Sequence, residues 1–245
     1  MPTIPRLYVT GALAAGAVVE TDDVHYLRTV LRLGPGAPVE LFNGHDGGWR
    51  GRIAALGKKA AAIAVENRVA AQVAVPDLAL LFAPLKKARI DFLVEKATEL
   101  GVGALCPVLT DHSITDRVNV ARLAEVAREA AEQSGRLCVP PVSAPVRLRD
   151  ALEPLEREGR RLFVADETHG GAPALDAFRA AGAGAAAILV GPEGGFAASE
   201  LDLLRRLPIV TAIDLGPRIL RAETAAIAAL ACWQAACGDW RSSGT

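Results

Sequence analysis

Arg218 and Arg221 stand three residues apart in the segment IDLGPRILRAETA (Ile213 to Ala225), with Glu223 and Thr224 just beyond them. Two arginines flanking Ile219-Leu220 beside a glycine are hard to explain as structure alone. Glu223, in what reads as a first helical turn, has a plain alternative role in complementing the helix dipole. A second segment, LVGPEGGF (Leu189 to Phe196), shares the design. Each runs from an apolar strand-like stretch into a Gly-Pro break and then towards a helical pattern. The residue before proline is pushed out of the helical region, and glycine lets backbone approach a ligand closely. If the strands Ala185–Val190 and Ile209–Asp214 pair in parallel, their loops stand side by side, and such crevices are where open α/β folds bind small molecules.

GPEGGF lacks the GK[ST] of a Walker loop and the spacing of GxGxxG. On physics alone it reads either as a backbone cradle for a small, weakly charged ligand or as an ordinary strand-to-helix turn. Other chemistry-bearing residues are scattered. His25, His45, His112 and His169 form no zinc pattern, and Cys106, Cys138, Cys232 and Cys237 show no metal or redox spacing, so they read as reduced thiols. The stripe Asp91, Glu95 and Glu99 reads as a solvated helix face, because like charges four apart repel mildly.

Two regions must position these loops. Up to about residue 70 the pattern is β: Val39–Phe42 alternates before Asn43-Gly44, a hairpin signal, and Trp49–Leu56 and Ala60–Glu66 follow. Short strands with glycine turns suggest a small barrel, with Ala70–Pro76 as linker. From Asp77 strands and helices alternate. Leu78–Ala83 precedes a helix over Ala88–Leu100, with Ile90, Leu93, Val94 and Ala97 inward and Gly101 as its cap. Leu105–Leu109, a helix capped by Asn119, strand Arg161–Asp166 and a short helix near Ala174–Ala180 come next. Ser199 caps a helix with Leu201, Leu204 and Leu207 inward, and the last helix covers Ala222–Ala236. That alternation predicts an α/β fold with a mostly parallel sheet covered on both faces.

A chain of 245 residues can hold one large domain or two modest ones. Net charge is −1, which argues against a wholly basic nucleic-acid binder. The stretch Ala222–Ala236 carries Glu223 and Gln234 and is too short to span a bilayer. The first residues, MPTIPRLYV, have no apolar signal core, so a cytoplasmic protein without membrane or metal is expected.

GPEGGF followed by LGPRILRAETA resembles the ribosomal RNA small subunit methyltransferase E family, which methylates N3 of a uridine in 16S rRNA. Three more segments resemble the family in the same order: HYLRTVLRLGPGAPVELFNG (His25 to Gly44), KKARIDFLVEKATELGV (Lys86 to Val102) and AAEQSGR (Ala130 to Arg136). One departure stands out: Ala88 and Arg89 follow Lys86-Lys87 where relatives often have a Gly-Asp/Glu-Lys type run, which leaves the roles of Lys86 and Lys87 open.

The resemblance implies a SPOUT methyltransferase domain over residues 73–245, trefoil-knotted, behind a PUA-like β-barrel over 1–72. General topology rules treat knots as rare exceptions. It also implies a homodimer and S-adenosyl-L-methionine as cofactor, held by Leu189, Gly191, Gly194, Gly195, Leu215, Gly216, Leu220 and Thr224. Arg218, Arg221 and Glu223 become the catalytic group. His25, Arg28, Arg32 and Arg136 become RNA contacts on the small ribosomal subunit, with His25 alternatively a satisfied barrel residue. Glu193, Glu223 and water are all open as the acceptor of the uracil N3 proton. Two other functions compete: ribose 2′-O-methylation, whose enzymes usually carry Ser-Leu-Asn in the final loop, and a non-catalytic ribosome-assembly factor. Intact glycines at 191, 194, 195 and 216 speak against the second.

Overall fold

A computed structural model of the chain describes residues 4–165 and 170–241. Two compact units result. Of these described residues, one unit gathers those up to Ala74 together with Arg128–Val139; the other holds Val75–Ala127 and those from Pro140 onward.

The first unit is a five-stranded sheet of β1 (Arg6–Tyr8), β2 (Val18–Thr21), β3 (Pro38–Phe42), β4 (Gly48–Leu56) and β5 (Ala61–Ala70), in the order β1-β3-β4-β5-β2. Only β1 and β3 pair in parallel. Alternation along β3 and β5 sends Val39, Leu41, Ile63 and Val65 into a core shared with Leu7, Leu27 and Ile53. The hairpin expected at Asn43-Gly44 joins antiparallel β3 and β4, through a turn longer than two residues. Asn43 Oδ1 accepts the backbone N–H groups of His45 and Asp46, while Gly44 and Gly47 take positive φ of 88° and 86°. β5 also runs to Ala70, through what the sequence suggested as the start of a linker. A π-helical turn, Tyr26–Val30, follows His25, and Arg32 is the one non-glycine described residue with positive φ, 54°.

The second unit is a seven-stranded, all-parallel sheet: β6 (Leu78–Phe82), β7 (Ala104–Leu109), β8 (Val146–Arg147), β9 (Arg161–Ala165), β10 (Ala172–Pro173), β11 (Ala186–Val190) and β12 (Val210–Asp214). The order is β10-β12-β9-β11-β6-β7-β8. Helices α1 (Lys87–Glu99), α2 (Val120–Ser134), α3 (Leu148–Glu158), α4 (Ala174–Ala181), α5 (Ala198–Arg206) and α6 (Ala222–Cys237) complete it, with α2 continuing into residues grouped with the first unit. Central strands are apolar on both faces, as parallel strands covered twice must be. Leu162 and Val164 meet Leu152, Leu155 and Leu204 of α3 and α5 on one face. Phe163 points the other way, edge-on to Phe178 of α4 at 4.8 Å between ring centres.

Two expectations need correction. β11 and β12 are not neighbours, because β9 is inserted between them and pairs with both. The helix assigned to a Ser199 cap begins at Ala198, and it is Glu200 that reaches back to accept the Ala197 N–H at 2.9 Å. α3 escaped sequence reading because Pro154 sits inside it, although Leu148, Leu152 and Leu155 form a regular buried stripe and Gly159 caps it at φ +64°. Asp166, the last residue of one expected strand, and His169 lie outside the described residues.

Candidate active site

Three neighbouring strands, β12, β9 and β11, end on the same side of the parallel sheet, and the loops leaving β11 and β12 wall a cavity of about 420 Å³. That is the size range of pockets for small organic ligands. Ala165 at the end of β9 contributes to its lining, so the inserted strand supplies part of the surface between the two loops.

The first wall is Gly191–Phe196. The Gly195 N–H donates to Pro192 O at 2.9 Å, closing a tight turn, and Gly195 has φ +69°, a conformation that L side chains rarely adopt. Gly191 is required for a different reason: a Cβ there would stand 2.8 Å from the Phe196 ring, which packs back over it. His112 holds the turn from the loop after β7. Its Nδ1 lies 3.2 and 3.1 Å from the carbonyl oxygens of Gly194 and Gly195, so Nδ1 carries the proton and donates. The same loop is tied to α5 where the Asp111 N–H donates to Glu200 Oε1 at 3.0 Å.

The second wall is Leu215–Ala222. Gly216 takes φ +102° and its N–H donates to Asp214 Oδ1 at 3.0 Å, which turns the chain sharply off β12. Leu215, Gly216 and Leu220 line the cavity, as do Arg218 and Arg221 with exposed side chains. Among the described residues neither arginine is paired with a carboxylate. Arg221 is the residue before α6, in extended conformation (φ −65°, ψ 153°), and its carbonyl accepts the Ala225 N–H.

Of the expected cofactor residues, Gly191, Gly195, Leu215, Gly216 and Leu220 line the cavity. Leu189 is fully buried in the core, Gly194 faces His112, and Thr224 is exposed in the first turn of α6. His25, Arg28, Arg32 and Arg136 belong to the first unit. There Arg28 Nη2 donates to Leu56 O and Gly57 O at 3.1 and 2.9 Å, and Arg136 O accepts from Arg6 Nη2 at 2.9 Å.

Arg89 is a charged lining residue to which the sequence reading gave no role. It projects from the first turn of α1 and pairs with Glu193 of the first loop and, at 3.7 Å, with Glu223 of α6. Glu223 is buried, and its second oxygen, Oε2, has no hydrogen-bond partner. The signal was present as the departure from the family run at Ala88-Arg89, but nothing local says where a long side chain reaches. His112, read from the sequence only as one of four scattered histidines, lies more than 80 residues from the turn it brackets.

Among the described residues no group of three His, Cys, Asp or Glu could hold a metal ion, and no helix is long and apolar enough to cross a membrane. All four cysteines are free, and burial pushes the Cys106 and Cys237 thiols up from their ordinary range.

The family model for an RNA methyltransferase domain matches residues 73–234, and that for an RNA methyltransferase PUA domain matches 19–66. Ribosomal RNA small subunit methyltransferase E of Rickettsia conorii is 32% identical over 229 residues, covering 92% of this chain and 93% of its own. The protein of that name from Mycobacterium tuberculosis is 31% identical over 245 residues, covering 96% and 90%. The crystal structure of the Neisseria gonorrhoeae ribosomal RNA small subunit methyltransferase E, bound to S-adenosyl methionine, superposes with a TM-score of 0.83 at 31% identity, over 97% of this chain and all of that one. A putative Legionella pneumophila methyltransferase, in complex with the same cofactor, gives 0.84 at 27% identity over 96% and 98%. With a domain match across most of the chain and full-length relatives at this identity, the protein belongs to the ribosomal RNA small subunit methyltransferase E family.

Proposed function

We propose that this protein transfers a methyl group from S-adenosyl-L-methionine to N3 of a uridine in the 16S RNA of the small ribosomal subunit. The observation that carries the reading is the cavity beyond β9, β11 and β12, walled by two Gly-Pro loops with Arg218 and Arg221 on its lining. Its residues fit the cofactor. Glycine backbone at 191, 195 and 216 leaves main-chain groups open to a ligand, and Phe196 and Leu220 offer apolar surface to a flat ring.

Bound there, S-adenosyl-L-methionine supplies an electrophilic methyl carbon on a sulfonium. The protein's part is chiefly positioning, since holding two reactants in attack geometry removes a large entropic barrier. Guanidinium forks at Arg218 and Arg221 suit phosphate and stack on bases, so they orient the incoming nucleotide. N3 lies on the pairing edge of uracil, so the base must be unpaired or flipped out. Glu193 and Glu223, both held by Arg89, and water are the candidate acceptors of the N3 proton.

The proposal includes the family's knotted chain path, the division into an RNA-docking domain over 1–72 and a methyltransferase domain over 73–245, a cytoplasmic site of action and a homodimer. Support for the dimer is the face of α6 at Ile227, Ala228, Ala231 and Ala235, small or apolar residues that are not buried. Light scattering should return about twice 25.6 kDa. The function itself is tested by incubating the protein with labelled S-adenosyl-L-methionine and small subunits, then mapping the modified nucleoside. 3-Methyluridine is expected; a ribose-methylated nucleoside or no transfer overturns the reading.

A further inference from the structure

A second cavity, of about 510 Å³, lies in the same unit on the other side of the start of α1. Leu85, Ile90 and Leu123, all buried, form its floor. Lys86, Lys87 and Arg117 stand exposed around it, and among the described residues none of the three meets a carboxylate. The one acid in its lining, Asp91, is already engaged by Arg122, whose Nε donates to Oδ1 at 3.1 Å. Ile114, 46% exposed, completes an apolar wall. The site therefore combines a greasy floor with uncompensated positive charge.

Its relation to the first cavity is covalent on both sides. The start of α1 gives Arg89 to one cavity and Lys87, Ile90 and the preceding Lys86 to the other. On the opposite side, His112 grips the carbonyls of Gly194 and Gly195, and two residues later the same loop supplies Ile114 to the wall of the second cavity. A strand whose target base enters the first cavity is thus offered a neighbouring trough of matching chemistry.

We propose that this second cavity binds single-stranded RNA of the substrate next to the target nucleotide, with phosphates at Lys86, Lys87 and Arg117 and a base or ribose against the apolar floor. The inference rests on the methyltransferase reading above. Sequence-independent affinity for RNA comes mainly from cations that displace counterions from phosphates, and an aliphatic floor adds hydrophobic contact with the face of a base or ribose. An acidic peptide would satisfy the cations but has no comparable flat face to lay on Leu85, Ile90 and Leu123.

The test is a double variant, Lys87→Glu with Arg117→Glu, read beside the unaltered protein by calorimetry with S-adenosyl-L-methionine and by small-subunit binding across salt concentrations. Cofactor affinity should change less than about twofold, since neither residue lines the first cavity. Subunit affinity should fall about tenfold or more, and the slope of log affinity against log salt should shrink by about one for each phosphate no longer neutralised. The charge-keeping pair Lys87→Arg with Arg117→Lys should retain the slope, and the alanine pair should repeat the loss without reversed charge. Unchanged subunit affinity and slope in a protein that still methylates subunits would overturn the RNA trough while leaving the methyltransferase reading intact. Loss of subunit binding at an unchanged slope, with a halved mass in light scattering, would make the trough a contact between copies and also overturn it. If the unaltered protein transfers no methyl to subunits at all, the underlying reading falls and the trough falls with it.

Discussion

Nε of Arg89 lies 3.7 Å from Oε1 of Glu223, while Nη1 of the same guanidinium pairs with Glu193. One side chain on the first turn of α1 thereby links the glycine loop after β11 to the first turn of α6. Glu223 is buried and its Oε2 lacks a partner, so this cation is the charged group that the structure sets against it.

Arg89→Ala should therefore loosen the wall of the cavity and strand a buried carboxylate. A loss on the order of 1–2 kcal/mol in unfolding free energy is expected, the lower part of the range for charged pairs because Arg89 is partly solvated. Cofactor affinity should fall at least about tenfold. Arg89→Lys should restore only part of it, since an ammonium lacks the fork that serves two carboxylates at once. Calorimetry with near-normal affinity in Arg89→Ala would show that the bridge plays no part in the site.

The three glycines of the first loop should respond differently to side chains. At Gly195 the strain of φ +69° in an L residue costs about 1–2 kcal/mol, so Gly195→Val should abolish binding of S-adenosyl-L-methionine with the fold retained. Gly191→Ala should have an intermediate effect, because the Phe196 ring must swing away from a new Cβ at 2.8 Å. Gly194→Ala should be nearly silent: its Cβ would meet only His112 Cβ, at 3.6 Å. A flat series, measured by cofactor titration, would remove the cradle argument.

Docking and chemistry should separate between the two units. Arg28→Ala with Arg32→Ala is expected to weaken small-subunit association and flatten its salt dependence, with cofactor affinity unchanged. Arg28 also donates to the carbonyls of Leu56 and Gly57, so some loss of stability in the turn between β4 and β5 should accompany it. Arg221→Ala should do the reverse, sparing most subunit binding while cutting single-turnover methylation. Normal subunit binding by the double variant would show that the β unit is not the docking module.

Glu132 gives the first unit a pH dependence. Burial pushes its carboxyl up, against weaker opposing pulls from the Tyr8 N–H at 3.0 Å and the Arg128 guanidinium at 3.6 Å. Between the ordinary glutamate value and that raised one, the folded chain binds more protons than the unfolded chain. Stability should thus decline as pH rises through this window, from about pH 4 upward. Urea unfolding at several pH values should show the decline in the unaltered protein and a flatter profile in Glu132→Gln. Equal profiles would show that Glu132 is not its source.

Much of the second unit is legible in one dimension. Period-2 and period-3.6 patterns are local consequences of backbone geometry, so β6, β11, α1 and α6 fall within a residue or two of where alternation puts them. Gly-Pro breaks mark the loops for the same local reason, and five of the eight expected cofactor residues do line one cavity. What decides the rest is pairing between distant segments, on which periodicity is silent. The order of strands places β9 between β11 and β12. His112 finds carbonyls 82 and 83 residues away, and Arg89 finds Glu193 and Glu223 across two other elements. Such contacts form only when the sheet has brought the ends of its strands together, because a side chain's reach is set by three-dimensional separation and not by spacing along the chain.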